Sequence, residues 1–161
     1  MALAFACSLL SVFPALAGEW RQTEDKEWQY IQDDGTKATG WLEVDGNRYY
    51  LDENGNRKSD YWYKEDGAWY YLDEDGVMAK NTWIKNGDVL FWIEEDGTMA
   101  TSKWHEQDHT WYYLDASGAA VTGWKEIDGK WYYFKEDHAM ATEETIGSYY
   151  VGKDGAWDSR K

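Results

Sequence analysis

Short segments in which apolar and polar residues alternate, joined in pairs by tight turns, make up most of the chain. The segment Gly123–Thr142, GWKEIDGKWYYFKEDHAMAT, contains one such pair around Asp128-Gly129. An Asp-Gly between alternating segments favours a type I′ turn, which needs positive φ at two successive residues, and so predicts a β-hairpin. The predicted register pairs Ile127 with Lys130, Glu126 with Trp131 and Trp124 with Tyr133.

Side chains alternate between the two faces of a strand, so three aromatic rings are expected together on one face of this hairpin. That face carries Trp124, Trp131 and Tyr133, and the other carries Lys125, Ile127, Tyr132 and Phe134. The aromatic face is the feature on which the functional interpretation depends.

This unit recurs along the chain with a period of about 20 residues. First-position tryptophans are Trp20, Trp41, Trp62, Trp83, Trp104 and Trp124. A four-residue motif, typically Trp-Tyr-Tyr-Leu, follows and begins at Trp28, Arg48, Trp69, Leu90, Trp111, Trp131 and Ser148. A glycine follows each motif except the sixth, where His138 takes its place. Such a period predicts an all-β fold, a β-solenoid of about seven stacked hairpins with no helix after residue 18.

A single hairpin is marginally stable in water, so neighbouring repeats are expected to bury one another's inner faces. The predicted core consists of positions two and four of the motif: Tyr49 and Leu51, Tyr70 and Leu72, Phe91 and Ile93, Tyr112 and Leu114, and Tyr132 and Phe134. The seventh repeat lacks a first-position tryptophan and is predicted to be a cap.

Residues 1–17 differ from the rest of the chain. They are uncharged and apolar and end in Ala15-Leu16-Ala17, a pattern that predicts a signal peptide cleaved after Ala17, although no Lys or Arg precedes the apolar run. Secretion follows from this prediction. Cys7 would be removed with the peptide, which leaves the repeat module, residues 18–161, without cysteine.

The formal net charge of −15 opposes approach to nucleic acid or to an anionic membrane surface. The charge either keeps an aromatic-rich surface soluble or attracts a cationic ligand, and composition leaves both open. Carboxylates lie in turns such as Asp52-Glu53, which is typical of a solvated surface. His105, His109 and His138 lack metal-ligand spacing, and no nucleophile elbow or phosphate loop occurs. We therefore expect a binding module, not an enzyme, without a metal or cofactor.

The recurring pattern of a tryptophan, then Trp-Tyr-Tyr-Leu/Phe, then Gly-x-Met-Ala-Thr resembles the choline-binding repeats of bacterial cell-wall proteins, which occur in pneumococcal autolysins, phage lysins and surface adhesins. The resemblance covers about residues 19–158. It implies hairpins stacked into a solenoid, with choline held between consecutive hairpins by two aromatic rings of one repeat and one of the next, often near a methionine. A quaternary ammonium donates no hydrogen bonds, and the faces of electron-rich rings are suited to it.

Carried over by position, the resemblance implies four complete cages and two damaged ones. The complete cages are Trp20, Trp28 and Tyr50; Trp62, Trp69 and Trp92; Trp104, Trp111 and Tyr133; and Trp124, Trp131 and Tyr150. The damaged cages have Arg48 beside Trp41 and Tyr71, and Leu90 beside Trp83 and Tyr113. Met78, Met99 and Met140 are weaker candidates, for which packing is the favoured role. Whether the third wall is the second tyrosine of the motif or the next first-position tryptophan is left open.

The predicted function is recognition of choline or phosphocholine on cell-wall teichoic or lipoteichoic acid at the bacterial cell surface. Nucleic acid and integral membrane contact are not expected, and a homodimer is compatible with the sequence. The alternative is a glucan-binding module whose rings stack on sugars. A third class is the targeting fragment of an autolytic enzyme. Titration with choline against a neutral oligosaccharide would separate the first two.

Overall fold

The computed structural model describes residues 18–158, and the predicted signal peptide lies outside them. Within this range the chain forms fourteen strands in seven antiparallel hairpins and no helix, which confirms the predicted all-β fold. The strands are β1 (Glu19–Gln22), β2 (Trp28–Ile31), β3 (Gly40–Val44), β4 (Asn47–Leu51), β5 (Tyr61–Glu65), β6 (Ala68–Leu72), β7 (Thr82–Asn86), β8 (Val89–Ile93), β9 (Lys103–Gln107), β10 (Thr110–Leu114), β11 (Gly123–Ile127), β12 (Lys130–Phe134), β13 (Glu144–Ile146) and β14 (Tyr149–Val151). None of the described segments is a helix that could span a membrane.

The chain divides into two units, Met1–Lys58 and Ser59–Lys161. The described part of the first unit contains the hairpins β1–β2 and β3–β4. The second unit contains the other five. Within each unit consecutive hairpins stack as a β-solenoid.

The hairpin registers follow from the turns. In β11–β12 the structure pairs Trp124 with Tyr133 and Glu126 with Trp131, which confirms the predicted register. The φ angles of Asp128 and Gly129 are 50° and 77°. Both are positive, as a type I′ turn requires. The faces of the strands are therefore those that the alternation of the sequence predicts.

The loop after each hairpin returns to that hairpin, and in five repeats it also bonds to the preceding hairpin. Its return residue forms an isolated bridge with position four of its own motif, as Met140 does with Phe134. The backbone N–H of Met140 also donates a hydrogen bond of 2.8 Å to the Trp111 carbonyl of the preceding hairpin. The return residues in such bridges are Lys37, Arg57, Met78, Met99, Ala120, Met140 and Trp157.

Position four of the motif forms the core. Six of its seven residues, Leu51, Leu72, Ile93, Leu114, Phe134 and Val151, are fully buried, and Ile31 of the first repeat is half-buried. Position two was also predicted to be core, but Tyr49, Tyr70, Phe91, Tyr112 and Tyr132 are only half-buried. Four of these rings lie against the first-position tryptophan of the preceding hairpin.

Glycines after the motif make room for the methionine of the preceding repeat. A Cβ added at Gly97, whose φ is +88°, would lie 2.5 Å from the Cε of Met78. The sixth repeat reverses this size relation, because His138 replaces the glycine and Ala120 replaces the facing methionine. The His138 Nδ1 lies 2.9 Å from the Ala120 carbonyl oxygen. A large return residue is thus matched by a small residue after the next motif, and a small return residue by a large one.

Candidate ligand-binding cages

A pocket of about 520 Å³ lies between the fifth and sixth hairpins. We call it the Met140 cage, and its apolar walls are Trp104, Trp111, Tyr132 and Met140. The Trp104 ring meets the rings of Trp111 and Tyr132 edge to face, with centroids 6.2 Å and 4.9 Å away. Trp111 remains 40% exposed, so the cage is open to a ligand from solvent. Its polar rim consists of His109, Thr142, Glu143, Lys153 and Asp154.

A second pocket, of about 370 Å³, lies between the sixth and seventh hairpins. We call it the Trp157 cage, and it is lined by Trp124, Trp131, Tyr149 and Trp157. The Tyr149 centroid is 5.7 Å from those of both Trp124 and Trp157. Trp157 stands where the preceding repeat has Met140, so this cage has four aromatic walls.

The third wall of both cages comes from position two of the next motif, not from position three as predicted. Tyr132 and Tyr149 approach the preceding tryptophan, whereas Tyr133 pairs across its own hairpin with Trp124 at 5.3 Å. In a stack, one face of a hairpin meets the opposite face of the next. The approaching ring must therefore come from the face that the prediction assigned to core.

The other predicted position-three walls are placed in the same way. With the exception of Tyr150, each ring pairs with the first-position tryptophan of its own hairpin in the antiparallel register. The aromatic pairs are Trp41 with Tyr50, Trp62 with Tyr71, Trp83 with Trp92, and Trp104 with Tyr113. Tyr150 lies opposite Thr145 and is not among the residues that line the Trp157 cage. Ligand contact by these residues remains a prediction.

The interface between the third and fourth hairpins has the same plan, with Phe91 as its third ring. The Phe91 centroid lies 5.2 Å from Trp62. Met99 is the return residue, and its N–H donates to the Trp69 carbonyl. Trp69 is 37% exposed. Trp92, which was predicted for this cage, is instead buried beside Trp83.

Side chains of the protein itself occupy the interface between the fourth and fifth hairpins. Leu90 packs against a buried cluster that includes Trp92 and Ala120. The Trp92 ring stacks on His105 at 3.9 Å. Burial lowers the pKa of His105, while the charge of Glu94 opposes that shift. Sequence reasoning flagged Leu90 but missed the stacked imidazole.

In the first unit, arginine side chains lie on the tryptophan rings. The Arg57 guanidinium carbon is 5.7 Å from the Trp20 centroid and 5.9 Å from that of Trp28. The Arg48 carbon is 4.2 Å from the Trp41 centroid. Arg48 was predicted to disturb its site, but Arg57 was not noticed. Arg57 could have been found from the alignment of the repeats, because it occupies the return position at which three other repeats have methionine.

Polar groups elsewhere serve the loops. Hydrogen bonds from the hydroxyl and the backbone N–H of Thr98 lower the pKa of Asp96, as expected for a carboxylate that closes a turn. Over residues 18–158, no three His, Cys, Asp or Glu side chains are grouped in a way that could hold a metal ion.

Stacked hairpins with aromatic pockets at their interfaces define a β-solenoid repeat module. Comparison with family models gives the same class. A choline-binding repeat model matches residues 18–62 and 58–104, a second such model matches 120–157, and a putative cell wall binding repeat matches 102–120. The chain belongs to the family of choline-binding repeat proteins.

Solved structures resemble the chain over most of its length. Choline binding protein F of Streptococcus pneumoniae is 34% identical with a TM-score of 0.73, over 89% of this chain and 48% of that one. The choline-binding domain of CbpL from Streptococcus pneumoniae is 34% identical with a TM-score of 0.70, over 88% and 76%. A pneumococcal cell wall endolysin from phage Cp-1, complexed with choline, is 27% identical with a TM-score of 0.58, over 78% and 37%.

The chain spans about half the length of the first of these proteins. The comparison with curated protein sequences gave no match.

Proposed function

We propose that the chain is a non-catalytic cell-wall-binding module that recognises choline groups in the cages between its hairpins. The observation that carries this proposal is the Met140 cage. Two tryptophans of one hairpin, a tyrosine of the next and a methionine surround one open space there. Its walls offer π faces and a thioether and leave the polar groups at the rim.

The chemistry of the cage suits a quaternary ammonium. Such a cation cannot donate hydrogen bonds, so its attraction comes from ring faces, among which tryptophan is the strongest. Three rings at about 0.5–2 kcal/mol each correspond to roughly millimolar affinity at one site. Several weak sites on one chain hold a polymer that carries many choline groups through multivalency.

The electrostatic field also favours a cation. The net charge is −15, and the rim of the Met140 cage holds the carboxylates of Glu143 and Asp154 against one lysine, Lys153. These groups raise the local concentration of a positively charged ligand. A bare polyphosphate would be repelled.

The partner that fits is choline or phosphocholine on teichoic or lipoteichoic acid at a bacterial cell surface. This assignment is supported by the family and by the relative whose structure is a complex with choline. A secreted, surface-attached protein would meet such a polymer outside the cell.

The test is a titration followed by two-dimensional NMR of the tryptophan indole N–H groups, with calorimetry for the number of sites. Choline should shift the signals of Trp104, Trp111, Trp124 and Trp131. Its neutral tert-butyl analogue, in which carbon replaces nitrogen, and a neutral oligosaccharide should shift them far less.

Variants assign the sites. Trp111→Ala and Trp131→Ala should each remove one choline site. Tyr61→Ala is the matched control, because Tyr61 is 42% exposed, as Trp131 is, but lines neither pocket. Equal binding of choline and its neutral analogue would refute cation recognition, and a response to oligosaccharide alone would favour the glucan alternative.

A further inference from the structure

We infer that Arg57 fills the cage between the first two hairpins with the protein's own cation, so that this interface stays closed to choline while the Met140 cage binds it. This inference rests on the proposed function and concerns which interfaces perform it. We call this first interface the Arg57 cage, and its residues are Trp20, Trp28, Tyr49 and Arg57.

Arg57 and Met140 occupy equivalent positions. Each forms a bridge with position four of its own motif, at Leu51 and Phe134 respectively. Each also donates its backbone N–H, at 2.8 Å, to the carbonyl of the tryptophan that begins the four-residue motif of the preceding hairpin. Arg57 donates to Trp28, and Met140 donates to Trp111. The two cages therefore have the same backbone frame and differ in the side chain that closes them.

The rings of the Arg57 cage are also in place. Trp20 meets Tyr49 of the next hairpin with centroids 4.9 Å apart, the same distance that separates Trp104 from Tyr132. In this pair of rings between hairpins the Arg57 cage matches the Met140 cage. At the return position, the first cage has Arg57 where the second has Met140.

The guanidinium carbon of Arg57 lies 5.7 Å from the Trp20 centroid and 5.9 Å from that of Trp28. Both tryptophans are therefore within cation–π range. Among residues 18–158 the Arg57 side chain has no carboxylate partner, in contrast to the neighbouring Lys58, which is paired with Asp52 at 2.7 Å. The guanidinium of Arg57 thus lies near the rings of Trp20 and Trp28 and not near a carboxylate. Arginine is well suited to this role because its flat, weakly hydrated group stacks on aromatic faces.

A tethered cation competes effectively with a free one. A group held on a short flexible chain has an effective concentration of about millimolar or higher at its own site. A choline of roughly millimolar affinity must displace the guanidinium or share the cage with it, and like charges at that distance repel. Either route weakens binding well below that of the Met140 cage.

A reciprocal exchange in the full chain tests the inference. Arg57→Met should open one additional choline site and make the indole signals of Trp20 and Trp28 respond to choline. The choline concentration that half-saturates these two signals should be lower by about tenfold or more than in the unmodified protein. Met140→Arg should remove one site and silence the responses of Trp104 and Trp111.

Two further variants separate charge from shape. Arg57→Lys keeps the cation and should leave the site closed, whereas Arg57→Ala removes it and should open the site even without a thioether. Arg57→Ala also covers the case in which Met140→Arg fails to fold, which dispersion of the NMR spectrum reveals.

The outcomes are distinct from a failure of the proposed function. If no indole of the unmodified protein responds to choline, choline recognition is wrong, and this inference with it. If Trp104 and Trp111 respond but Arg57→Met and Arg57→Ala add no site, the inference alone is overturned. It is also overturned if Trp20 and Trp28 of the unmodified protein respond at the same choline concentration as Trp104 and Trp111.

Discussion

Replacing Gly155 by alanine should destabilise the array and weaken ligand binding at a cage that Gly155 does not line. Gly155 follows the seventh motif and has a φ of +76°. A Cβ there would lie 2.5 Å from the Cε of Met140. A normal carbon–carbon contact is roughly 3.5–4 Å. Met140 is a wall of the cage formed with Trp111, so displacing its side chain changes the shape of the binding site.

Two costs contribute to the loss of stability. A left-handed conformation costs an alanine about 1–2 kcal/mol relative to glycine. Extra volume in a packed site costs about 1–3 kcal/mol. The obstructing atoms belong to the flexible end of a methionine, which can shift, so the second cost should be near its lower bound. We expect the free energy of unfolding to fall by about 2–3 kcal/mol for Gly155→Ala.

Gly129→Ala is the matched control. Gly129 has nearly the same φ, +77°, but an added Cβ would have no atom within 4 Å. This variant should lose only the backbone part, about 1–2 kcal/mol, and should leave the Met140 cage unchanged. The difference between the two variants isolates the contact with Met140.

Urea unfolding measures the stability of both variants, and the indole signals of Trp104 and Trp111 report choline binding. In the double variant Gly155→Ala/Met140→Ala the obstructing side chain is gone. Its stability loss should therefore approach that of Gly129→Ala. Equal losses of stability for Gly155→Ala and Gly129→Ala, or unchanged choline affinity in Gly155→Ala, would refute the packing argument.

The core, the stacked histidine and the second cage give three more expectations. Leu114 is fully buried. Leu114→Ala should therefore lower the free energy of unfolding by about 2–5 kcal/mol in urea titration, and a loss below about 1 kcal/mol would mean that the stack collapses around the gap. Burial holds the pKa of His105 below its ordinary 6.5. The neutral imidazole therefore contributes to stability above pH 6.5, and this contribution is lost as the pH falls from 6.5 toward the pKa of His105 in the folded state. His105→Gln should flatten this part of the plot of unfolding free energy against pH. An unchanged plot would contradict the argument. Trp157→Met should weaken choline at the Trp157 cage by about 0.5–2 kcal/mol through loss of one ring, as measured by the Trp131 indole shift, with the Met140 cage as internal control.

The hairpins and their registers could be predicted because short-range rules determine them. An Asp-Gly turn fixes which residues pair, and a slip by one residue would exchange the faces of both strands. The pairing of Trp124 with Tyr133 therefore needed no information about the rest of the chain. The buried position-four column, with Leu114 as an example, followed from the same alternation.

The third wall of each cage could not be predicted in this way, because it depends on how one hairpin lies on the next. Tyr132 and Tyr133 are adjacent in sequence and face opposite sides, and only the stacking decides which one reaches Trp104. Arg57 was missed for a related reason. It lies in a loop, and its approach to Trp20 depends on the return of that loop to the preceding hairpin.

The same arrangement explains how the repeats can differ in binding while keeping one fold. The return residue makes its inter-repeat hydrogen bond through the backbone N–H, and this bond measures 2.8 Å from Arg57, Met99, Ala120, Met140 and Trp157 alike. The position-four column lies behind the cage walls, where Trp104, Tyr132 and Met140 pack against the buried cluster that contains Phe134. A substitution at the return residue changes what the cage presents to a ligand, but it keeps the backbone hydrogen bond and the position-four side chain itself. The large return residue Met140 faces Gly155 of the next repeat. The small return residue Ala120 instead faces the larger His138. The number and strength of the cages can thus vary with single side chains, while the hairpins continue to stack through their backbones and their core.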